Sequence, residues 1–261
     1  MTRGRAMRES ENEWDFFLCE REGATASILV NFGLRGVAPD RSRPWRLTVQ
    51  LKVRNPSPNG LSNAEERPRL DQIDDALGAL VTGACEARFA GRAIRSGFWT
   101  FVYYAPNASR FEETVDHAMR DFRDYTYSCA ADRDSDWSHF FHVLLPTKRE
   151  AQQIMNRHVL EQLKRHGDDL TMPRAVSHFI YFNTPFDRAK FLESVETDGF
   201  EITESESQDD SVRERRHGAV LRREDRVDFS TIQKIVLHLF DRASEADGEY
   251  DGWETQVIES E

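Results

Sequence analysis

Alternating and helical patterns of apolar residues predict a strand-rich first half for this chain of 261 residues. Apolar and polar residues alternate from Leu47 to Val53, which is the period of a half-buried strand. Five further runs are rich in aromatic and β-branched residues and predict strands at Trp14–Glu20, Ala26–Phe32, Phe98–Tyr104, Tyr125–Ala130 and Trp137–Leu145. Two helices are predicted as well, one over Leu70–Ala84 and one that begins with a capping box of Ser109 and Glu112. The first half is therefore predicted to be an antiparallel sheet with two helices.

Pro146 marks a boundary, after which helices and strands follow one another in a regular order. Thr147 and Glu150 have the spacing of a capping box and start a helix that runs to Gly167. Four strands are then predicted at Ala175–Phe182, Phe200–Glu206, Gly218–Arg223 and Tyr250–Ile258. Two helices separate them, one from Thr184 to Gly199 and one over Phe229–Ala246.

This β-α-β-β-α-β order predicts a ferredoxin-like sandwich with an extra leading helix. The fold class is therefore α+β with two domains, at residues 13–146 and 147–261. Residues 1–12 are predicted to be a disordered leader, because they contain arginines and no apolar run.

The segment Glu249–Glu254 places a tyrosine and a tryptophan on either side of Asp251 and Gly252. Large aromatic rings gain most from burial, so this segment is not typical of a loose tail. Tyr250 and Trp253 are three residues apart and should point to opposite faces of a regular strand. Asp251 and Gly252 between them indicate a bulge or a bend.

The net charge of −11 is concentrated in the second half of the chain. Residues 1–146 carry 19 Lys and Arg against 21 Asp and Glu, whereas residues 147–261 carry 16 against 25. An acidic half repels nucleic-acid phosphates, so direct binding of nucleic acid is disfavoured. The acidity either attracts a basic protein partner or only keeps the chain in solution.

The three cysteines predict neither a disulfide framework nor a metal site. Cys19, Cys85 and Cys129 are far apart and form no Cys-x-x-Cys pair, which suits a reducing cytoplasm. No apolar run is long enough for a membrane helix, and the N-terminal sequence is not a secretory signal. We therefore predict a cytoplasmic protein without a membrane partner.

Sequence motifs for catalysis are missing. There is no phosphate-binding glycine loop, dinucleotide-binding turn, zinc-protease helix or serine nucleophile elbow. His139 and His142 are three apart in a predicted strand, so they point to opposite faces and cannot chelate one metal. We predict a non-enzymatic protein without cofactor or metal. An enzyme with a site in the first domain is the alternative.

Four motifs of the second half carry a resemblance to a known family. They are Leu163–Asp169, Ser177–Phe182 with its histidine, Asp198–Ile202 and the closing Glu249–Glu254. In this order the second half resembles RraB, the regulator of ribonuclease activity B, a family that inhibits the endoribonuclease RNase E. The chain departs from the family pattern because it lacks the long acidic C-terminal tail and carries an arginine cluster.

The resemblance implies a ferredoxin-like domain that binds an RNase E-type endoribonuclease through protein contacts, without chemistry. The first half resembles an uncharacterised domain family that occurs fused to RraB-like domains. Trp137, the Leu145-Pro146 step and the strand order carry that likeness. It brings no known activity with it.

Candidate partner-binding residues are histidines, aromatics and charged residues of the second half. They are His178, Tyr181, Glu201, Glu204, Arg215, Arg216, Arg222, Arg223, Tyr250, Asp251 and Trp253. Alternation places His178 on one face of its strand and Tyr181 on the other. The histidine is either a buried residue with a satisfied hydrogen bond or a recognition residue.

The charged clusters have two interpretations each. Six arginines between Arg213 and Arg226 either bind RNA or an acidic partner, or protect an edge strand from aggregation. The acidic residues from Glu193 to Asp210 either compete for the basic segments of a ribonuclease or form a solvated surface. An RNA-binding module that uses the Arg213–Arg226 hairpin is thus a second alternative function.

Overall fold

Two antiparallel sheets, each with its own helices, form the chain, and the α+β prediction is confirmed. The computed structural model describes residues 13–206 and 217–258. The chain divides into one unit at Met1–Glu150 and a second at Ala151–Glu261. The two units are described separately below.

The first unit contains a six-stranded sheet in the order β1-β2-β4-β5-β3-β6. Its strands are β1 (Trp14–Arg21), β2 (Ala24–Asn31), β3 (Trp45–Lys52), β4 (Arg88–Arg95), β5 (Phe98–Ala105) and β6 (Tyr127–Arg133). All neighbouring strands are antiparallel. Helices α1 (Arg67–Ala84) and α2 (Phe111–Ala118) pack on one face, where their apolar stripes meet Leu47, Val49 and Leu51.

The segment Trp137–Leu145 was predicted as a strand, and this prediction is wrong. It forms a turn followed by a π-helical segment at Phe140–Leu144. Trp137 stacks on Tyr104 with ring centroids 3.9 Å apart, on the sheet face opposite to α1. The buried residues of the segment, Trp137, Phe140 and Leu144, recur at helical spacing, which the aromatic composition had obscured.

Two other local predictions of the first half differ from the structure. Strand β4 was not predicted, because its sequence combines three arginines with Gly91 and has only Phe89 and Ile94 as β-forming residues. The helix α2 is not capped by Ser109, since it follows Arg110 without a side-chain cap and Ser109 instead donates to Asn107.

The predicted leading helix, α3 (Lys148–Arg165), starts at the end of the first unit and contributes most of its length to the second. Thr147 and Glu150 bond reciprocally, so the predicted capping box is confirmed. The helix α4 (Pro185–Val195) is capped by Thr184, whose hydroxyl accepts from the Asp187 amide at 3.1 Å. The remaining elements are β7 (Arg174–Phe182), β8 (Glu201–Glu206), β9 (His217–Asp225), α5 (Phe229–Glu245) and β10 (Glu249–Thr255).

The four strands of the second unit pair in the order β10-β7-β9-β8, and every pair is antiparallel. With one helix after β7 and one after β9, this is the split β-α-β arrangement of ferredoxin-like folds. The even-numbered residues of β7, including Val176, Ile180 and Phe182, join the core with Phe191 of α4 and Val236 of α5. Helices α4 and α5 therefore pack on the same face of this sheet.

Candidate functional site

The face of the second sheet that points away from α4 and α5 carries a short apolar stripe. Residues paired across antiparallel strands project to the same side. Phe179 of β7 is paired with Val220 of β9 and with Gly252 of β10, and Tyr181 is paired with Gly218. Phe179, Tyr181 and Val220 are half-buried and belong to neither hydrophobic core. We call this surface the open face.

Glutamates surround the apolar stripe of the open face. One row of paired residues across the sheet consists of Glu254, Ser177, Arg222 and Glu201. Glu249 is paired with Tyr181 at the end of the stripe. These three glutamates and Arg222 are exposed, and so is Glu224, which is paired with Ala175. The open face thus presents four carboxylates around one arginine and a patch of aromatic surface.

His178 lies on the opposite side of β7 and is completely buried. Its Nδ1 is 2.8 Å from the Tyr250 hydroxyl, and its ring lies nearly perpendicular to that of Phe200, with the ring centroids 6.0 Å apart. Its Nε2 has no hydrogen-bond partner among the described residues. Burial and the nearby Arg223 lower the pKa of His178 to about 3, so the ring is neutral near pH 7.

Trp253 belongs to the helix side of the sheet together with Tyr250, so the prediction that they point to opposite faces is wrong. The register shifts between Tyr250 and Gly252, which confirms the predicted bulge. The extra residue places Tyr250 opposite Ile180 and Trp253 opposite His178. Ile180 and His178 are two residues apart on β7 and therefore project to the same face of the sheet. The rings of Tyr250 and Trp253 lie on that face as well.

A hydrogen-bonded chain ties Trp253 to two helices. The Trp253 indole Nε1 donates to the Asn156 Oδ1 of α3 at 2.9 Å, and Asn156 Nδ2 donates to the Gln233 Oε1 of α5 at 2.9 Å. Asn156 is 1 % exposed, so these bonds satisfy a buried amide. The closing Tyr250–Trp253 motif therefore ties β10 to α3, to α5 and, through Tyr250 and His178, to β7.

The first of the motifs that suggested a family, Leu163–Asp169, is tied to the start of β7 by a buried ion pair. Asp168 accepts from Arg174 Nη1 at 2.5 Å and from the Ile258 amide at 2.7 Å. Arg174 also donates to the Gln256 carbonyl at 3.1 Å. The side chain of Asp168 is fully buried. The Gly-Asp step after α3 therefore holds the segment that follows β10.

The arginine cluster is divided by the structure. Arg215 and Arg216 lie outside the described residues. Arg222 is exposed on the open face, whereas Arg223 donates to Asp225 at 2.9 Å and covers the Phe200 ring at 4.2 Å. The Arg223 guanidinium therefore makes its contacts within the second unit.

The acidic candidates occupy two kinds of position. Glu201 is on the open face, opposite Arg222, and Asp251 is exposed at the bulge. The backbone of Glu204 is paired with that of Ala219. The register places Glu201 on the open face.

No metal site emerges from the part of the chain that the structure describes. No group of three or more His, Cys, Asp or Glu side chains there has the arrangement of a metal ligand set. His142 is exposed, and burial together with Arg46 lowers the pKa of His139 to about 4. Within the same described ranges, no helix is both long enough and apolar enough to cross a bilayer.

Residues 12–145 match the model of a family described as a family of unknown function, DUF695. The match spans more than half of the 261 residues. The chain belongs to this family. Residues 153–255 match a second family model, Regulator of ribonuclease activity B or RraB, and the resemblance of the second half is thereby confirmed.

Comparisons with individual proteins add little to the two family matches. No curated protein matches the chain. An unknown protein from Galdieria sulphuraria is similar at 11% identity and a TM-score of 0.23, covering 81% of this chain and 98% of its own. A protein provisionally assigned as a glycine cleavage system transcriptional repressor is similar at 10% identity and a TM-score of 0.25, with the same coverage. Scores this low carry no argument about function.

Phe179 and Val220 were not singled out from the sequence, although they form the centre of the open face. Alternation along β7 had placed Phe179 on the side of Tyr181. The missing information was the pairing of β7 with β9, which brings Val220 beside Phe179. That pairing depends on the order of strands in the sheet and not on local sequence.

Proposed function

We propose that this protein is a non-catalytic, cytoplasmic regulator that binds and inhibits an RNase E-type endoribonuclease through protein contacts. The RraB family match over residues 153–255 supports a role in regulating ribonuclease activity. The observation that carries the proposed mode of binding is the open face of the second sheet. It combines partly exposed aromatic area with a rim of carboxylates.

The chemistry of the open face suits a basic segment of the ribonuclease. Protein segments that bind RNA are rich in Lys and Arg, since they neutralise phosphates. An arginine of such a segment stacks on Phe179 or Tyr181, and its charge pairs with Glu249 or Glu254. Binding would occupy a surface that the ribonuclease needs for RNA, which explains inhibition without catalysis.

The buried polar groups support a structural rather than a catalytic role for the second unit. A general base needs a pKa near the working pH and access to substrate. His178 has a pKa of about 3 and is completely buried. Burial also raises the pKa of its neighbour Tyr250 well above the usual range, so that hydroxyl stays protonated.

Charge reversal on the open face tests the proposed binding surface. The double variant Glu249→Lys with Glu254→Lys is compared with Glu65→Lys with Glu86→Lys, which changes the same charge at exposed positions of the first unit. Affinity for the ribonuclease of the same organism is measured by titration calorimetry at two salt concentrations. We expect the open-face variant to bind about tenfold more weakly or worse, and the control to bind nearly as wild type.

Equal weakening in both variants would assign the effect to net charge and would contradict the open face as the binding surface. No binding by the wild type at low salt would contradict the proposed partner. Binding that does not weaken as salt rises would contradict the role of the glutamates.

RNA binding is the second candidate, because ferredoxin-like sheets that bind RNA present aromatics on their central strands. Phe179 and Tyr181 occupy the central strand β7 of this sheet. The four surrounding glutamates oppose phosphate binding, which is why the protein partner is preferred. Fluorescence anisotropy with single-stranded RNA separates the two. We expect no measurable affinity, and micromolar affinity that Tyr181→Ala abolishes would favour RNA instead.

A further inference from the structure

A cavity of about 260 Å³ lies in the first unit, where α1 leaves part of the sheet uncovered. The helix side of β4 and β5 is packed against α1, but the same side of β1 is not. Trp14, Phe16 and Leu18 on β1 are 37%, 44% and 45% exposed. The cavity is lined by Phe16, Ser27, Leu29, Arg67, Arg92 and Ile94.

Strand register explains why these residues meet. Leu29 of β2 is paired with Phe16 of β1 on one side and with Arg92 of β4 on the other. Ser27 is paired with Ile94 two residues further along. The lining is therefore one surface of three adjacent strands, with Arg67 added from the first turn of α1.

Arg92 is an unusual residue to find on this surface, because it is only 5 % exposed. One guanidinium nitrogen, Nη1, bonds to Asp74 of α1, and the group lies 3.9 Å from the centroid of the Trp99 ring. Its Nε is buried without a hydrogen-bond partner among the described residues. Burial, with Arg67 as a further cause, lowers the pKa of Arg92 to about 10. An arginine this deeply buried, with one ion pair and an unused donor, is energetically costly, which distinguishes it from the other lining residues.

Arg67 adds a second positive charge at the same place. It is the first residue of α1, and its guanidinium lies 5.3 Å from the centroid of the same Trp99 ring. Asp71 accepts from its Nε at 2.8 Å, which leaves the terminal nitrogens outside that bond. The positive end of the α1 dipole favours an anion here as well. The described residues that line the cavity include no acidic one.

We propose that this cavity binds a small organic anion, with its oxyanion head on Arg67 and Arg92 and its apolar body against Phe16, Leu29 and Ile94. Guanidinium groups pair bidentately with carboxylate and phosphate oxygens, and an apolar body explains why the rest of the lining is hydrophobic. Pockets for drug-sized ligands begin at about 300 Å³, so the ligand is smaller than these. This proposal is independent of the ribonuclease partner.

Ligand-observed NMR and titration calorimetry on the full chain test the proposal with defined probes. Benzoate and phenyl phosphate carry both a head and an apolar body, benzyl alcohol lacks the charge, and inorganic phosphate lacks the body. We expect benzoate or phenyl phosphate to bind at least about tenfold more tightly than benzyl alcohol and inorganic phosphate. The tighter of the two identifies the head group that the arginines prefer.

Two variants and one control locate the binding. Arg67→Gln removes a charge from the lining and should weaken the best probe about tenfold. Ser27→Leu fills the cavity and should abolish binding. Arg95→Gln is the control, because Arg95 also forms an ion pair, with Glu22, but projects from the other side of β4. It should leave affinity unchanged, and thermal melting confirms that each variant is folded.

Three outcomes would overturn the proposal. One is that none of the four probes binds at millimolar concentration. Another is that benzyl alcohol binds as tightly as benzoate, since the arginines would then contribute nothing. The third is that Arg95→Gln weakens the probe as much as Arg67→Gln does in folded proteins.

Discussion

Single buried polar residues set the architecture of the second unit. Asp168 and Arg174 form an ion pair whose side chains are 0% and 4% exposed, and the same two residues bind backbone groups of Gln256 and Ile258. Buried pairs of this kind are costly to break, since one partner would remain charged and unpaired. The Gly-Asp step and the chain end are therefore coupled through hydrogen bonds that no local pattern reveals.

Residue-level prediction from the sequence was successful where alternation was sufficient. It placed His178 and Tyr181 on opposite faces of β7, and the register confirms this. It misplaced Trp253, because the one extra residue of the bulge moves every later side chain of β10 to the opposite face of the sheet. It also gave no reason to notice Arg92, which becomes unusual only when β4 is paired with β2 and β5.

His178 makes the stability of the second unit dependent on pH. Its pKa is about 3 in the folded protein, below the usual 6.5, so between these values only the unfolded chain binds the proton. The stability that the neutral His178 ring contributes to the folded protein is fully present above pH 6.5 and is lost as the pH falls toward 3. Because of this single group, we expect the free energy of unfolding to decrease by up to about 1.4 kcal/mol for each unit by which the pH falls.

Urea unfolding of the wild type and of His178→Gln between pH 7 and pH 4.5 measures this contribution. The slope should be smaller in the variant, because glutamine does not titrate. His238→Gln, at an exposed position on α5, controls for the loss of any histidine from this unit. Identical slopes for wild type and His178→Gln would show that the buried ring does not link folding to pH.

At the scale of elements, strong periodicity and capping residues were reliable guides. The capping box of Thr147 and Glu150, the Thr184 cap and the two long helices α1 and α5 were all predicted. Strand β4 and the segment Trp137–Leu145 were not, since tertiary pairing stabilises the first and aromatic stacking the second. Amino-acid composition therefore gave wrong secondary structure for the two segments whose conformation depends on contacts with residues distant in the sequence.

The bulge in β10 depends on Gly252, whose φ is +144°. An added Cβ would meet nothing within 4 Å, so the cost of Gly252→Ala is backbone strain and not a clash. We expect a loss of about 1–3 kcal/mol in the free energy of unfolding, measured in urea. Glu254→Ala, on an exposed residue of the same strand, should change it by less than about 0.5 kcal/mol. Equal values for both variants would mean that the backbone at position 252 accepts a Cβ without strain.

At the scale of the whole molecule, the chain combines two units with different chemistry. The first belongs to a family of unknown function and contains a cavity with two arginines. The second matches RraB and presents four glutamates around an aromatic stripe. The sequence predicted the two-domain α+β class and the acidity of the second half. It did not predict which face of the second sheet the helices of that unit would pack on, because this follows from the positions of the helices.

We propose that the open face is the surface with which this protein inhibits a ribonuclease. The rate at which the RNase E-type endoribonuclease of the same organism cleaves a fluorescent RNA tests this proposal. Tyr181→Ala on the open face is compared with Phe186→Ala, an aromatic residue of α4 that is 76% exposed. Wild type and Phe186→Ala should inhibit cleavage equally, and Tyr181→Ala should require at least about a tenfold higher concentration. An unchanged cleavage rate with saturating wild type, or full potency of Tyr181→Ala, would contradict the claim.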